Sequence, residues 1–338
     1  MMKDFKKTKK IETNKGEFGF CKYNGNRYFY KKVDNTSIEI NRYKMLSNYY
    51  KVPKLIDYFD NTIIYEFNDS LVNYTIHEYL YKDNIYFDIN CILKQYKNNL
   101  ESTYLISEDK LINKKFYCDR VYFLQKYLNN AIFNKVYIYN YKEFDIYKII
   151  NDTFIKISSE KKLYSFITNG DPTDTNISVD GYFSDYECAG YNSIVGEIAI
   201  FVVSILSHGS YFYPKYNKKV YIFRPYILKE YNKYKITINR RNNKIDGKIR
   251  IPYKNKNLLL SYLEFYNDIL ANNIKDNVNK YLKYYLIMRV LTPINVLDMD
   301  ESDINTIVFL VIIFSEINSI SELIELIKES DLLWNIMR

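Results

Sequence analysis

Glycine is scarce, with nine residues in a chain of 338. None begins a G-K-[ST] run, which excludes the phosphate-binding loop that ends in that triplet. Histidine is scarcer still. Two of them, His77 and His208, leave little room for a zinc site or a Ser-His-Asp set, and each reads as a structural residue. The four cysteines (Cys21, Cys91, Cys118 and Cys188) stand far apart with no C-x-x-C pair. That argues for reduced thiols and against a disulfide framework or a zinc knuckle. Long apolar runs are also missing. "TIVFLVIIF" at 306–314 is too short to span a bilayer, and "SIVGEIAIFVVSIL" at 193–206 is short and carries Glu197. Both read as buried helices. The first residues are charged from Lys3 on, without the apolar core of a secretory signal. A cytoplasmic protein is the expectation.

What is abundant is tyrosine, with 38 residues, alongside much Asn, Ile and Lys. AT-rich codons spell all four, so base composition accounts for the excess more simply than a functional aromatic surface. The formal charge of +8 would suit nucleic acid or an anionic membrane, but the lysines are dispersed. The densest run, "KDFKKTKK" at 3–10, reads as a solvated tail. Neither partner is therefore expected. Hydrophobic residues at 47% against 26% charged describe a globular chain rather than a disordered one. Its length predicts two lobes sharing a cleft.

The pattern along the chain divides accordingly. "EFGFCKY" and "RYFYKKV" are aromatic-rich strand patterns joined by "NGN", a hairpin signal. Over 36–50 the period becomes helical through Ile38, Arg42, Met45, Leu46 and Tyr49, and Thr36 with Glu39 has the capping-box spacing. Pro53 ends that helix, and "NTIIYEF" at 61–67 reads as another strand. From about residue 75 the pattern is mostly helical. "HGSYFYPKYNKK" reads as a loop, "KVYIFRPYILKEY" is ambiguous, and the Asn- and Lys-rich 238–257 reads as an exposed loop. Helices return after 258, with Ser319 and Glu322 as a second capping box. The fold class predicted is α+β, with a small mixed lobe over 1–68 and a large helical lobe over 69–338.

One stretch interrupts the helices. "TNGDPTDTNISVDGYFSDYECAG" at 168–190 holds four aspartates and three of the nine glycines. Phosphoryl transfer needs a metal on the triphosphate, a carboxylate beside the attacking hydroxyl and a cation on the phosphates. Magnesium takes oxygen ligands, typically a carboxylate and an amide carbonyl with phosphates and water. Asp171 is followed five positions later by Asn176. An apolar-alternating hairpin turning at Asp180–Gly181 would carry Asp185 back to Asn176. Asp-x4-Asn recurs at Asp268–Asn273 and Asp300–Asn305, but only the first continues into a hairpin and a further Asp.

The composite resembles the catalytic and metal loops of the aminoglycoside phosphotransferase and choline kinase-like family, of protein-kinase-like bilobal fold. That pattern is H-G-D-x4-N, a hairpin, then D-[FWY]-[ED]. Gly170, Asp171 and Asn176 match, as does "DYE" at 185–187. "GEIA" at 196–199 stands where the family has D-L-A. Asn169 replaces the usual loop-ordering His. Upstream, "RYFYKKV" resembles the strand with the phosphate-binding lysine, taken as Lys31 with Lys32 the neighbour that faces the other side, and "SIEINRYKML" the helix whose Glu39 would pair with it. Gly16 and Gly19 would flank the phosphate-covering turn, and Glu66, Phe67 and Asn68 the adenine-binding hinge. The resemblance implies a small-molecule kinase using ATP and Mg2+. Asp171 would be the catalytic base, and Asn176 and Asp185 the metal ligands. The acceptor would be the hydroxyl of an amino sugar, aminoglycoside or choline-like alcohol, and the protein a monomer or homodimer.

Plainer readings compete at single residues. Asp171 before Pro172 can start a turn. Asp174 reads as a solvated or turn residue, Glu39 can serve only its capping box, and Glu197 can serve only the helix dipole. The acidic "DMDESD" at 298–303 reads as a solvated helix start before an acidic acceptor pocket. With Asn169 and few glycines near the first turn, a pseudokinase that binds nucleotide or a protein without phosphoryl transfer is the alternative.

Overall fold

The structure, a computed structural model, describes residues 5–13, 16–107, 111–120, 126–218, 236–241, 243–249 and 251–329. Its N-terminal part is a five-stranded antiparallel sheet of order β1-β2-β3-β5-β4, made of β1 (Lys6–Thr13), β2 (Gly16–Tyr23), β3 (Asn26–Lys32), β4 (Leu55–Phe59) and β5 (Thr62–Glu66). Asn24 and Gly25, both at positive φ, make the β2–β3 hairpin that "NGN" predicts. The basic run at 3–10 is no tail, because Lys6 onward pairs with β2 as the edge strand β1. Lysines on an edge keep it from pairing with other chains, so that role and solvation read alike in sequence.

Both faces of this sheet are covered. Cys21, Tyr30 and Ile64 are buried on the outer face with Phe5 and Phe59 around them. On the inner face Phe20, Phe29 and Tyr65 meet edge-on or tilted, and helix α1 (Thr36–Ser47) lies against Tyr65 through Tyr43. The two-residue pleat therefore puts Phe29 and Lys31 on the inner face and Tyr30 and Lys32 on the outer one.

Helix α1 departs from the expected pattern twice. Its cap is Asn35, whose Oδ1 accepts from Ile38 N at 3.1 Å, while Thr36 Oγ1 donates to Asp60 O at 2.8 Å. Glu39 is thereby released from capping. Its buried face is Glu39, Ile40, Tyr43 and Leu46, whereas Ile38, Met45 and Tyr49 are exposed. Ring packing by Tyr43 against the sheet outweighs the aliphatic periodicity.

The larger C-terminal part is mainly helical. The helix Asn272–Leu291 packs on Ile194–Val203 and on Glu301–Ser315, which bury the two apolar runs as expected. It also contains strands that the sequence pattern hid. Leu163–Thr168 is the centre of a three-stranded sheet between Leu105–Ser107 and Gly190–Ser193. Val136–Tyr139 and Lys142–Asp145 form a hairpin through Asn140 and Tyr141, both at positive φ. Within the supposed loop at 238–257, Ile236–Arg241 pairs with Lys244–Ile249 and a helix starts at Tyr253. "HGSYFYPKYNKK" runs through the π-helical segment Ser204–Phe212 and the short helix Tyr213–Tyr216. All of "KVYIFRPYILKEY" lies outside the described residues. Ser319 caps the last helix, accepting from Glu322 N at 3.0 Å. Among the described residues no helix is long and apolar enough to cross a membrane.

Tyrosine turns out to be a core residue here. Tyr96, Tyr117, Tyr262, Tyr266, Tyr281 and Tyr285 are among the largest fully buried side chains. The Tyr281 hydroxyl is buried with no hydrogen-bond partner among the described residues. An unpaired buried hydroxyl costs roughly 1–3 kcal/mol, so Tyr281→Phe is expected to leave stability unchanged or raise it by about 1 kcal/mol. Urea unfolding of the two proteins would measure it, and a clear loss would mean that the hydroxyl has a partner.

Candidate active site

The 168–190 stretch leaves one strand and re-enters the adjacent one, with Thr168 directly opposite Gly190. Its two ends are thus held together by a sheet ladder, and polar side chains do the rest. Asn192 Nδ2 donates to Cys188 O at 3.0 Å and to Thr168 Oγ1 at 3.1 Å. Gly170 has a φ of +76°, and a Cβ there would lie 2.1 Å from Cys188 O. Only glycine fits this close approach. The hairpin forms as isolated bridges, Ile177 opposite Phe183, with Gly181 at positive φ in its turn.

Asn169 stands where the resembled pattern has His, and it is fully buried. Its Nδ2 donates to Ser184 O at 3.0 Å and to Asp185 O at 3.1 Å, while its Oδ1 accepts from Asp171 N at 3.2 Å. One amide therefore joins the loop of Asp171 to the loop of Asp185. An imidazole offers the same two edges, one donor and one acceptor, so the exchange keeps the link.

The predicted residues converge as follows. Lys31 Nζ lies 2.8 Å from Asp185 Oδ1 and 3.1 Å from the Glu39 carboxylate. Burial works against the charge on Lys31, but the two carboxylates more than offset it and its pKa is raised. Burial raises the pKa of Glu39, opposed by Lys31. Lys32 faces outward, 4.0 Å from Glu17. Asn176 Nδ2 donates to Asp171 O at 3.0 Å, and Ser184 N donates to Asn176 O at 2.9 Å. Asp185 sits at φ +58°, a left-handed conformation that is costly for a non-glycine and typical of functional loops. Next to it Tyr186 is buried against Tyr43 and Tyr65, ring centroids 5.2 and 5.4 Å away. This aromatic trio spans loop, helix and sheet.

Glu66 ends β5, and its N–H is taken by Lys54 O at 2.8 Å. Phe67 lies under the Arg27 guanidinium at 4.0 Å. Asn68 caps the following helix, accepting from Leu71 N at 3.0 Å. Gly16 and Gly19 flank no turn, because both lie within β2 and residues 17–18 between them are extended and paired with β1 and β3; residues 14–15 are outside the described residues.

Other acids find partners that spacing did not reveal. Asp174 is not solvated. It is buried, bonded to His77 Nδ1, and accepts from Ser204 Oγ at 2.8 Å. Asp303 is buried and held by Lys215 at 2.6 Å and the Tyr211 hydroxyl at 2.8 Å. Within the run 298–303, Asp300 and Asp303 share the one ammonium of Lys215.

Glu197 is fully buried, and its Oε1 accepts from Thr168 Oγ1 at 2.5 Å, which in turn accepts from Gly170 N at 3.1 Å. Burial pushes its carboxyl up to about 8. The folded protein thus keeps a proton that the unfolded chain releases near pH 4.5. Stability from this group is complete below pH 4.5 and is lost as pH rises through 8. Glu197→Gln is expected to match the parent Tm at about pH 5 and exceed it by a few degrees at about pH 8.5. Parallel melting curves at both pH values would show no change if the carboxylate were ionised in the fold.

Sequence reading missed Arg289. It is buried on the helix Asn272–Leu291, and its Nη2 lies 3.0 Å from Asp171 Oδ1. Burial opposes its charge, and Tyr213 and Asp171 more than offset that. Its signal was a single cation in the apolar run "YYLIMRVL".

No protein-family model matches this sequence, and no curated protein does. Among solved structures the chain is similar in fold to small-molecule kinases. A thermostable mutant of aminoglycoside phosphotransferase APH(4)-Ia, in apo form, aligns over 93% of both chains with 11% identity and a TM-score of 0.47. Choline kinase from Cryptosporidium parvum Iowa II aligns over 99% of this chain and 92% of its own, with 12% identity and a TM-score of 0.44. Plasmodium vivax ethanolamine kinase aligns over 92% and 81%, with 12% identity and a TM-score of 0.43. The order expected from the sequence, a small β-rich N-terminal part with one helix and then a large mainly helical part, is the one observed.

Proposed function

We propose that this protein is an ATP-dependent phosphotransferase acting on the hydroxyl of a small molecule. The observation that carries the reading is the convergence of Lys31, Glu39 and Asp185 across the two lobes, with Asn176 and Asp171 tied into the same loop system. In this reading residues 1–68 are the nucleotide-binding lobe and 69–338 the lobe with the catalytic loops and acceptor site.

Lys31, held by Glu39, contacts the phosphates. Adenine lies on the backbone of Glu66, Phe67 and Asn68, where Glu66 offers its carbonyl because its N–H is engaged. Asn176 and Asp185 fit magnesium. Both are oxygen donors, and the Asn176 amide is oriented by donating its N–H to Asp171 O. Among the described residues there is no cluster of three His, Cys, Asp or Glu, so two protein ligands leave the remaining positions to phosphate and water. When bound, the ion neutralises charge on the phosphates. Asp171 orients the acceptor hydroxyl and takes its proton. The hydroxyl oxygen bonds to the γ-phosphorus as the bond to the ADP oxygen breaks.

The resemblance suggests an amino sugar, an aminoglycoside or a choline-like alcohol as acceptor. ADP release measured over an acceptor panel, with wild type and Asp171→Asn, tests the activity. Nucleotide binding with no turnover on any acceptor would instead mark a pseudokinase.

A further inference from the structure

Arg289 poses a problem for the reaction just described. Its guanidinium occupies the carboxylate oxygen that the reaction turns toward the acceptor hydroxyl. The guanidinium is also under-satisfied. It has five N–H donors, yet its one hydrogen bond among the described residues is Nη2 to Asp171 Oδ1, and Nε is buried with no partner. His208, in the π-helical segment Ser204–Phe212, is fully buried, and neither ring nitrogen has a hydrogen-bond partner among the described residues. π-Helical turns concentrate at functional sites. A second cation stands on the same side. Arg120, with Tyr127, Thr292, Pro293 and Asn295, lines a hollow of about 220 Å³, and its Nη1 donates to Thr292 O three residues after Arg289.

When Asp171 turns to an acceptor hydroxyl, a buried guanidinium left without an anion would cost several kcal/mol. Something anionic must take its place. On the basis of these orphaned donors we propose that the acceptor is a compact hydroxylated anion. Its carboxylate or phosphate group is gripped by Arg289, Arg120 lies at the entrance, and its hydroxyl is a few bonds away beside Asp171. This rests on the kinase reading above, and it disfavours aminoglycosides and choline-like cations, which a guanidinium released by Asp171 would repel.

The test uses the full chain with magnesium–ATP and two acceptor sets. One holds hydroxy acids and sugar phosphates; the other holds amino sugars, aminoglycosides and choline. ADP release is expected with the first set alone, and whether hydroxy acids or sugar phosphates respond separates carboxylate from phosphate. Arg289→Lys keeps the charge but loses the fork, and is expected to raise KM for the anionic acceptor about 10–100-fold. Because a buried substitution can unfold the protein, Arg120→Gln serves as the second variant, with a raised KM and a kcat little changed. Calorimetric titration of the same anions without nucleotide is expected to show binding that Arg120→Gln weakens. Turnover of cationic acceptors in preference to anionic ones would overturn the proposal and leave the kinase reading intact. Bound magnesium–ATP with no turnover in either set would count against the kinase reading, and the titration would then decide the anion site. Absence of anion binding there would overturn it.

Discussion

Asp171→Asn is expected to lower turnover by about three orders of magnitude while magnesium–ATP binding survives. The substitution keeps the shape of the side chain and removes its ability to take a proton. The bond from Asn176 reaches the backbone oxygen of residue 171, so the metal loop keeps its anchor. The Asn169 bridge to residues 184 and 185 does not involve the side chain at 171 and also stays. Arg289 loses a charge partner, but the new amide oxygen can still accept one hydrogen bond. A stability loss of about 1–2 kcal/mol is expected on that account. Steady-state kinetics beside calorimetric nucleotide binding would separate the effects. A fall of less than about tenfold would remove Asp171 from proton transfer.

The second large effect is at Lys31. Lys31→Met removes the cation that lies between the Asp185 and Glu39 carboxylates, which then face each other across the gap. Their repulsion and the lost phosphate contact act together. A decrease in kcat/KM for ATP of about 100–1000-fold is expected. Lys32→Met is the control. Its side chain is on the other face of β3, 4.0 Å from Glu17 and partly exposed, where an ion pair contributes about 0–1 kcal/mol. Its kinetics are expected to stay within about twofold of the parent. Equal effects of the two substitutions would contradict the pleat-based assignment.

Local chemistry made some elements legible. The "NGN" turn, the strand at 61–67 and the two apolar helices follow from positive-φ residues, β-branched content and run length, all short-range properties. The loop at 168–190 was legible for a similar reason. Gly170 and Gly181 sit at positive φ, a local backbone demand that marks the turns of the loop. Strands such as Leu163–Thr168 escaped because "LYSFIT" is short and buried, and a short apolar run has no period to distinguish strand from helix. Asp174 escaped because a buried acid reads like a solvated one until its partners, His77 and Ser204, are seen to come from other segments.

By itself the sequence determined the class of the fold, the position of the acidic loop and the residue types that loop offers, because each depends on neighbours along the chain. Tertiary structure decided which lysine faces the cleft, that Glu39 pairs with it instead of capping a helix, and that Arg289 rests on Asp171 from a segment 118 residues away. Those choices turn on how two sheet faces and distant helices share one interior. Charges settle where burial leaves them a partner, and no local pattern encodes that partner.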